Sequence, residues 1–239
     1  MLIATTAEST PMNLELARFN MIEQQIRPWD VLDANVLHLL SVVKREDFVP
    51  TAHKALAFVD MEIPLRAPVD EAMKLGQCML APRVEARMLQ DVAVQKHEKV
   101  LEIGAGSGYM AALLAHRAQR VISLEIDQAL VNVARANLQK AGIHNAEVRH
   151  ADGAQGVPVE GPFDVIVLSG SVAAVPHALL ASLKVGGRLV AIVGEEPTMR
   201  ATFVTRVGDA DGVEYRTDQP WDTVAARLLN FPAPSRFNF

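Results

Sequence analysis

The chain has 239 residues, 50% of them hydrophobic, with a net charge of −5 and an isoelectric point near 5.8. This length and apolar content permit a large core in one or two domains. The acidic balance and the lack of a basic block argue against nucleic acid as a main partner. The single cysteine, Cys78, excludes an internal disulfide, and no metal site is expected because the seven histidines have no metal-ligand spacing.

The first residues give no sign of export or membrane attachment. Residues 1–12 are small and polar and are expected to be loose, and they lack the basic start and apolar stretch of a signal peptide. One window, Val165 to Leu183, contains no Asp, Glu, Lys or Arg over nearly the length of a membrane span, but Ser169, Gly170 and Pro176 interrupt it. We therefore expect no membrane partner and a cytoplasmic location.

The part of the chain before residue 82 is predicted to be helical and irregular. Apolar spacing predicts a helix over Asn13 to Arg27 that Pro28 stops, and a second helix from the capping residue Asp33 to about Val43. Prolines then punctuate an irregular segment that runs to Ala81. Proline is tolerated in the first turn of a helix, so Pro82 is expected to open the next one.

From Lys99 onward, strand and helix patterns alternate, which is typical of a parallel sheet with helices on both faces. A Gly186-Gly187 turn is expected to lead into the fifth strand, and the last two strands are expected to form a hairpin-like addition at one sheet edge. The predicted strands are Lys99–Ile103, Val121–Glu125, Glu147–His150, Asp164–Leu168, Arg188–Val193, Thr202–Val207 and Thr223–Leu229. The predicted helices are Met110–His116, Gln128–Lys140 and Val175–Leu183.

Three glycines at alternating positions, Gly104, Gly106 and Gly108, follow the first of these strands. Glycine lacks the Cβ that would keep a ligand away from the backbone, and the amides at the start of the next helix point to the same place. The dinucleotide fingerprint needs a glycine where this chain has Tyr109. The turn therefore predicts a nucleotide-like cofactor other than NAD or FAD, with a ligand-free glycine turn as the alternative.

Two acidic residues at strand ends strengthen the cofactor prediction. Glu125 lies about 20 residues past Gly104, where an acid accepts hydrogen bonds from both ribose hydroxyls. Asp152, followed by Gly153, ends the third predicted strand. Each acid alone has a simpler interpretation, as a solvated strand end or a turn former. The glycine turn and both acids in the expected order make coincidence the weaker explanation.

The glycine turn resembles motif I of the Rossmann-like S-adenosylmethionine-dependent methyltransferases. From about Arg18 to Leu229 the order of motifs resembles one family of that class, the protein-L-isoaspartate O-methyltransferases. The class-wide matches are the glycine turn and the Lys184–Leu189 stretch. The matches particular to the family are Met21 to Ile26, Arg45 to Pro50, and Gly76-Gln77 followed by Pro82.

This resemblance implies a mostly parallel seven-stranded sheet with helices on both faces, in the Rossmann-like class I methyltransferase fold. It also implies an N-terminal helical extension over residues 1–81 that covers the cleft, and a cofactor-binding domain over 82–239, both within one compact unit. The cofactor would be S-adenosyl-L-methionine, with Asp152 near its adenine amino group. The implied cofactor-binding residues are Met79, Glu102, Gly104, Ala105, Gly106, Ser107, Gly108, Glu125, Ile126, Asp152, Gly153 and Ser169.

The family methylates the free carboxylate of an isoaspartyl residue in an aged protein, and the ester then collapses to a succinimide. A carboxylate with a pKa near 4 is already ionised at pH 7, so no general base is expected. Alignment and water exclusion are expected to carry catalysis. The implied partner is an isoaspartyl protein or peptide, and the chain is expected to be a monomer or a weak homodimer.

One departure from the family falls at the acceptor site. Where the family has Thr-Ile-Ser after Gly-Gln, this chain has Cys78, Met79 and Leu80, so Cys78 and Leu80 occupy the catalytic positions without their hydroxyls. Nothing near Cys78 in the sequence lowers its thiol pKa, which favours packing over a nucleophilic role. Two alternatives therefore stay open: a methyltransferase with another acceptor, such as a small molecule, and a weakened homologue that only binds the cofactor.

Overall fold

The fold is built around one seven-stranded sheet, seen in a computed structural model that describes residues 13–208 and 212–233. The prediction for residues 1–12 lies outside the described residues. The sheet strands are β3 (Lys99–Ile103), β4 (Arg120–Glu125), β5 (Ala146–His150), β6 (Phe163–Val172), β7 (Leu183–Glu195), β8 (Thr198–Gly208) and β9 (Glu214–Thr223). Two short strands, β1 (Ile63–Pro64) and β2 (Cys78–Met79), pair with each other in antiparallel fashion.

The strand order is β5-β4-β3-β6-β7-β8-β9, and the first five strands of that order are parallel. The chain runs from β3 outward to β4 and β5, and then returns to the other side of β3 to form β6. In open parallel sheets this reversal leaves a crevice at the carboxyl ends of the strands, where ligands bind. The mostly parallel seven-stranded sheet is confirmed, and the crevice lies beside the glycine turn.

Helices cover both faces of the sheet. Alternate strand residues divide between two buried clusters, with Val100 and Val121 in one and Leu101 and Ile122 in the other, as the two-residue period of a strand requires. The first cluster also contains buried residues from the N-terminal helices, so the N-terminal part and the sheet share one core. The helices are α1 (Leu14–Met21), α2 (Ala34–Val42), α3 (Val69–Lys74), α4 (Pro82–Val92), α5 (Tyr109–Arg117), α6 (Gln128–Lys140) and α7 (His177–Leu180).

Several predicted boundaries in the N-terminal part need correction. The first helix is not one α-helix to Arg27: after Met21 it continues as a π-helical turn over Ile22–Ile26 and a 3₁₀ turn over Arg27–Trp29, so Pro28 lies inside the last turn. The segment predicted as irregular contains α3 and a 3₁₀ stretch over Thr51–Phe58. The second helix begins as predicted, since Asp33 accepts hydrogen bonds from the backbone of Asn35 and Val36.

Two predicted elements after the glycine turn are also wrong. The helix predicted over Val175–Leu183 is only the four-residue α7, and Leu183 already belongs to β7, with the Gly186-Gly187 pair inside an irregular part of that strand. The strand predicted over Thr223–Leu229 lies earlier, at β9. That strand is exposed at the sheet edge, so it lacks the apolar alternation that marks a half-buried strand. The antiparallel addition itself is confirmed.

None of the helices in the described ranges combines the length and the apolar character needed to cross a bilayer.

Candidate active site

A cavity lies beside the glycine turn, at the carboxyl ends of β3 and β4 and next to Ser169 of β6, where open parallel sheets bind their ligands. Seven predicted cofactor-binding residues line it, together with Cys78. The seven are Gly104, Gly106, Glu125, Ile126, Asp152, Gly153 and Ser169. Residues far apart in the sequence therefore meet around one space, as the sequence analysis anticipates.

The glycine turn brings bare backbone to this cavity. Gly104 and Gly106 line it with φ angles of 92° and 52°, which glycine adopts far more readily than other residues. Gly108 also has a positive φ, but it lies outside the cavity, where a Cβ would sit 3.3 Å from Ala134 of α6. The geometry therefore gives Gly108 a role in close packing against α6, and its predicted contact with the cofactor stays a prediction.

Glu125 ends β4 with its carboxylate between two backbone amides. The Gly106 N–H donates to Glu125 Oε2 at 2.8 Å, and the Asp127 N–H donates to Oε1 at 3.0 Å. Burial raises the pKa of Glu125, while these two hydrogen bonds lower it. Because each oxygen keeps a lone pair after accepting one bond, Glu125 fixes the glycine turn and retains acceptor capacity toward the cavity.

Asp152 lines the cavity just after the end of β5. Its Oδ1 accepts from the Ala154 N–H at 2.9 Å, and its Oδ2 accepts from Asn230 Nδ2 at 2.9 Å. The first bond stabilises the turn after β5, and it supports the simpler interpretation of Asp152 as a turn former. The second ties the acid to a segment from the other end of the chain. A side chain at the neighbouring Gly153 would overlap Ile103.

A smaller space adjoins the first on the side of α4 and α5. The remaining predicted residues except Gly108 line it, namely Met79, Leu80, Glu102, Ala105 and Ser107. Glu102 is buried here and accepts hydrogen bonds from Ser123 Oγ (2.6 Å) and Ser169 Oγ (2.8 Å). Burial raises the pKa of Glu102 to about 7, with the two hydroxyls opposing that shift.

Of the two positions without family hydroxyls, Cys78 lies where the two spaces meet and Leu80 lines the smaller one. Cys78 lines both, and its Sγ is 3.8 Å from the Gly76 carbonyl oxygen. Burial raises the pKa of the Cys78 thiol, and the nearby Glu62 carboxylate raises it further, so the thiolate is disfavoured. Leu80 is buried in the smaller space. Neither side chain supplies a nucleophile or a strong hydrogen-bond donor.

The sequence analysis missed one whole side of the larger cavity. Residues 226–231, here called the C-terminal wall, run along β6 through one parallel bridge, with the Ser171 N–H donating to Ala226 O and the Leu228 N–H to Ser171 O. Leu228 packs so closely on the glycine turn that a Cβ at Gly104 would lie 2.9 Å from its Cδ2. The wall residues that line the cavity are Arg227, Leu228, Leu229 and Phe231.

The Gly-Gln pair before Cys78 gains a structural explanation. Gly76 has a φ of 68°, and a Cβ there would lie 2.6 Å from the Arg227 carbonyl oxygen of the C-terminal wall. Gln77 Nε2 donates to Asp127 Oδ2 at 3.0 Å, next to Glu125. The pair thus holds the Cys78 segment against the cavity. Gly76, Gln77 and Asp127 also line the cavity, and the motif match was the only sequence signal for the first two.

Comparisons with known proteins agree with this geometry. A sequence model of the protein-L-isoaspartate(D-aspartate) O-methyltransferase family matches residues 17–219. A protein-L-isoaspartate O-methyltransferase from Rhodopseudomonas palustris is 38% identical over 192 residues, covering 80% of this chain and 84% of that protein. Protein-L-isoaspartate O-methyltransferase 1 from Syntrophobacter fumaroxidans is 40% identical over 193 residues, covering 81% of this chain and 86% of that protein.

The fold has a solved counterpart. A Plasmodium falciparum structure, described as a protein-L-isoaspartate O-methyltransferase in complex with S-adenosyl-L-homocysteine, superposes with a TM-score of 0.69 at 21% identity. The match covers 88% of this chain and 97% of that one. At this identity the likeness establishes the shared architecture.

Proposed function

The chain belongs to the protein-L-isoaspartate(D-aspartate) O-methyltransferase family of S-adenosyl-L-methionine-dependent enzymes, and we propose that the two adjoining spaces divide the reaction between them. The larger cavity takes the nucleoside of the cofactor, and the smaller space, lined by Cys78, Leu80 and Glu102, takes its methionine end and the acceptor. The observation that carries this division is the convergence of the glycine turn, Glu125 and Asp152 on one cavity, with Cys78 shared by both spaces.

The residues around the larger cavity fit the cofactor. Gly104 and Gly106 offer a cradle that a side chain would fill, and Glu125 retains acceptor capacity for ribose hydroxyls. Asp152 supplies a carboxylate at the purine end. Glu102, a buried acid of the adjoining smaller space, is suited to the ammonium group of the methionine portion. Charge-assisted hydrogen bonds of these kinds are the stronger ones in proteins.

When bound, the cofactor supplies an electrophilic methyl on a sulfonium, which a carboxylate oxygen attacks as the sulfur–carbon bond breaks. The acceptor carboxylate is already ionised near pH 7, so the chain's residues need not remove a proton. Their work is to align the acceptor and exclude water. Apolar Leu80 and Met79 and the C-terminal wall serve this exclusion, and the raised pKa of the Cys78 thiol fits a site without a covalent intermediate.

Family membership favours isoaspartyl carboxylates over another acceptor or a merely binding homologue. The family acts on isoaspartyl proteins, and we propose the same acceptor for this chain. The decisive experiment is transfer of labelled methyl from S-adenosylmethionine to an isoaspartyl peptide, followed by release of the label as methanol at mildly alkaline pH. Transfer to the isoaspartyl peptide and not to its aspartyl counterpart supports the proposal, and equal or absent transfer contradicts it.

Restoring the family hydroxyl is expected to raise activity. Leu80→Ser should increase kcat/KM for an isoaspartyl peptide about tenfold, because a hydrogen bond to a charged group contributes roughly 1.5–3 kcal/mol. Leu80→Ala is the matched control, since it removes the same apolar bulk and adds no hydroxyl. If the serine and alanine variants have the same kcat/KM, a missing hydroxyl does not limit the reaction.

The affinity for S-adenosylhomocysteine is expected to fall as the pH is lowered through about 7, the value to which burial raises the pKa of Glu102. Below that pH the carboxyl is protonated and no longer attracts the ligand's ammonium group, so affinity should fall by up to about tenfold for each further pH unit. Calorimetric titration across this range checks the prediction. Glu102→Gln should bind more weakly above pH 7 and lose the dependence, and a retained dependence would assign it to another group.

Three further proposals concern the whole chain. We propose residues 1–81 as the part that covers the cleft, on the ground that its buried helices pack into the same core as the sheet. We place the protein in the cytoplasm because its single cysteine, which is half-buried, leaves no internal disulfide. The expectation of a monomer or a weak homodimer stays a prediction.

A further inference from the structure

The acceptor segment Cys78–Leu80 is held in place by a residue that the proposed reaction does not otherwise use. Arg45 lies in a 3₁₀ turn over Arg45–Asp47 and is 0% exposed. Its Nη2 donates to the Leu80 carbonyl oxygen at 2.7 Å, and its Nη1 is hydrogen-bonded to the carboxylate of Glu85. A charged side chain is almost never fully buried unless it is paired in this way.

The same guanidinium also meets the glycine turn. Its central carbon lies 5.3 Å from the ring centroid of Tyr109, the first residue of α5 and the neighbour of Gly108. Phe48 packs edge-on against that ring at 5.3 Å. One side chain therefore joins the end of the acceptor segment, helix α4 through Glu85, and the helix that starts at the glycine turn.

We propose that Arg45 is a positioning residue for methyl transfer, which fixes the backbone of Leu80, and with it the acceptor segment, relative to the cofactor cradle. This inference rests on the proposed acceptor site at Cys78–Leu80. An attack on a methyl group needs close alignment of three atoms, and a misplacement of about 1 Å can lower a rate about a hundredfold. The planar fork of arginine donates to Leu80 and Glu85 at once, which the single ammonium of lysine does not reproduce.

The test compares single-turnover methyl transfer to an isoaspartyl peptide, at saturating S-adenosylmethionine, in wild type and Arg45→Lys. The variant keeps the charge beside Glu85 and loses the fork. We expect the rate constant to fall about tenfold or more while the affinity for S-adenosylhomocysteine stays within about twofold, because the larger cavity does not include Arg45. A purely structural role would change the thermal midpoint and leave the rate constant of the folded protein unchanged.

A double variant keeps the test decisive if the lysine protein folds poorly. Arg45→Met with Glu85→Leu removes the whole pair, and replacing a buried ion pair by apolar residues is often neutral for stability. Its transfer rate should fall as in Arg45→Lys, since the Leu80 carbonyl has lost its donor.

The neighbouring buried pair supplies the matched control. Arg18 is hydrogen-bonded to Glu46 in the same core, with side chains 8% and 2% exposed, and neither residue lines the space at the acceptor segment. Arg18→Met with Glu46→Leu should leave the transfer rate constant unchanged. The inference is overturned if the Arg45 variants keep the wild-type rate constant, or if the control loses as much. If wild type itself does not methylate the isoaspartyl peptide, the proposed acceptor is wrong, which is a separate result.

Discussion

Replacing Gly104 with valine is expected to lower the affinity for S-adenosylhomocysteine by at least about a hundredfold, or roughly 2.7 kcal/mol. Gly104 has a φ of 92°, and a Cβ there would lie 2.9 Å from Leu228 Cδ2 and 3.5 Å from the Ser169 carbonyl oxygen. A branched side chain therefore strains the backbone and fills the cradle between the turn and the C-terminal wall. Calorimetric titration of the purified variant measures the effect.

The Gly104 variant could lose affinity through backbone strain alone or through a blocked cavity. A valine at Gly142 separates these two causes. This glycine has a φ of 71°, lies outside both spaces, and a Cβ there would meet nothing within 4 Å. Gly142→Val should carry a similar conformational cost, of about 1–3 kcal/mol in stability, with wild-type cofactor affinity. If the two variants lose affinity equally, the glycine turn is not the cofactor cradle.

The second large effect is expected at Glu125. Glu125→Ala should weaken S-adenosylhomocysteine binding about tenfold or more, since it removes the proposed acceptor for the ribose hydroxyls. It also removes the acceptor that orders the Gly106 and Asp127 amides, so the cradle itself should loosen. Glu125→Gln keeps one acceptor oxygen and the shape of the side chain, and should therefore lose less affinity than the alanine variant.

Glu147 on the next strand provides the comparison for Glu125. It is an exposed acid of β5, hydrogen-bonded to Arg120 and Arg149, and it does not line the cofactor cavity. Glu147→Ala should bind S-adenosylhomocysteine as wild type does. An unchanged affinity in Glu125→Ala would refute its assignment to the ribose, and a matching loss in Glu147→Ala would show that the effect is not specific to the site.

Local chemistry made part of the site predictable. The glycine turn and the strand-end acids Glu125 and Asp152 could be located because glycine conformation, strand periodicity and strand polarity act over a few residues. Apolar runs in the sequence predicted the parallel strands, and the central residues of each strand were located to within a few positions. The position of β9 was predicted wrongly because this strand is exposed at the sheet edge. Its side chains contact water there, so the sequence shows no apolar alternation.

Long-range contacts made the rest unpredictable. The C-terminal wall reaches Gly104 across more than half the chain, and its hydrogen bond from Asn230 to Asp152 has no local sequence signal. A sequence rule expects Arg45 at the surface, since arginine is mostly exposed, and only the fold shows its partners. The sequence predicts Gly108 as part of the cradle because alternating glycines look alike, and only the fold shows that this glycine packs against α6.

The position of the C-terminal wall in the chain has a consequence for truncation. The nine strands in the described ranges, the glycine turn and the strand-end acids all precede residue 226, so the wall is added to the cavity by a segment that contributes none of those strands. A polypeptide truncated after Thr223 would therefore keep every one of these strands and lose the surface that closes one side of the cavity.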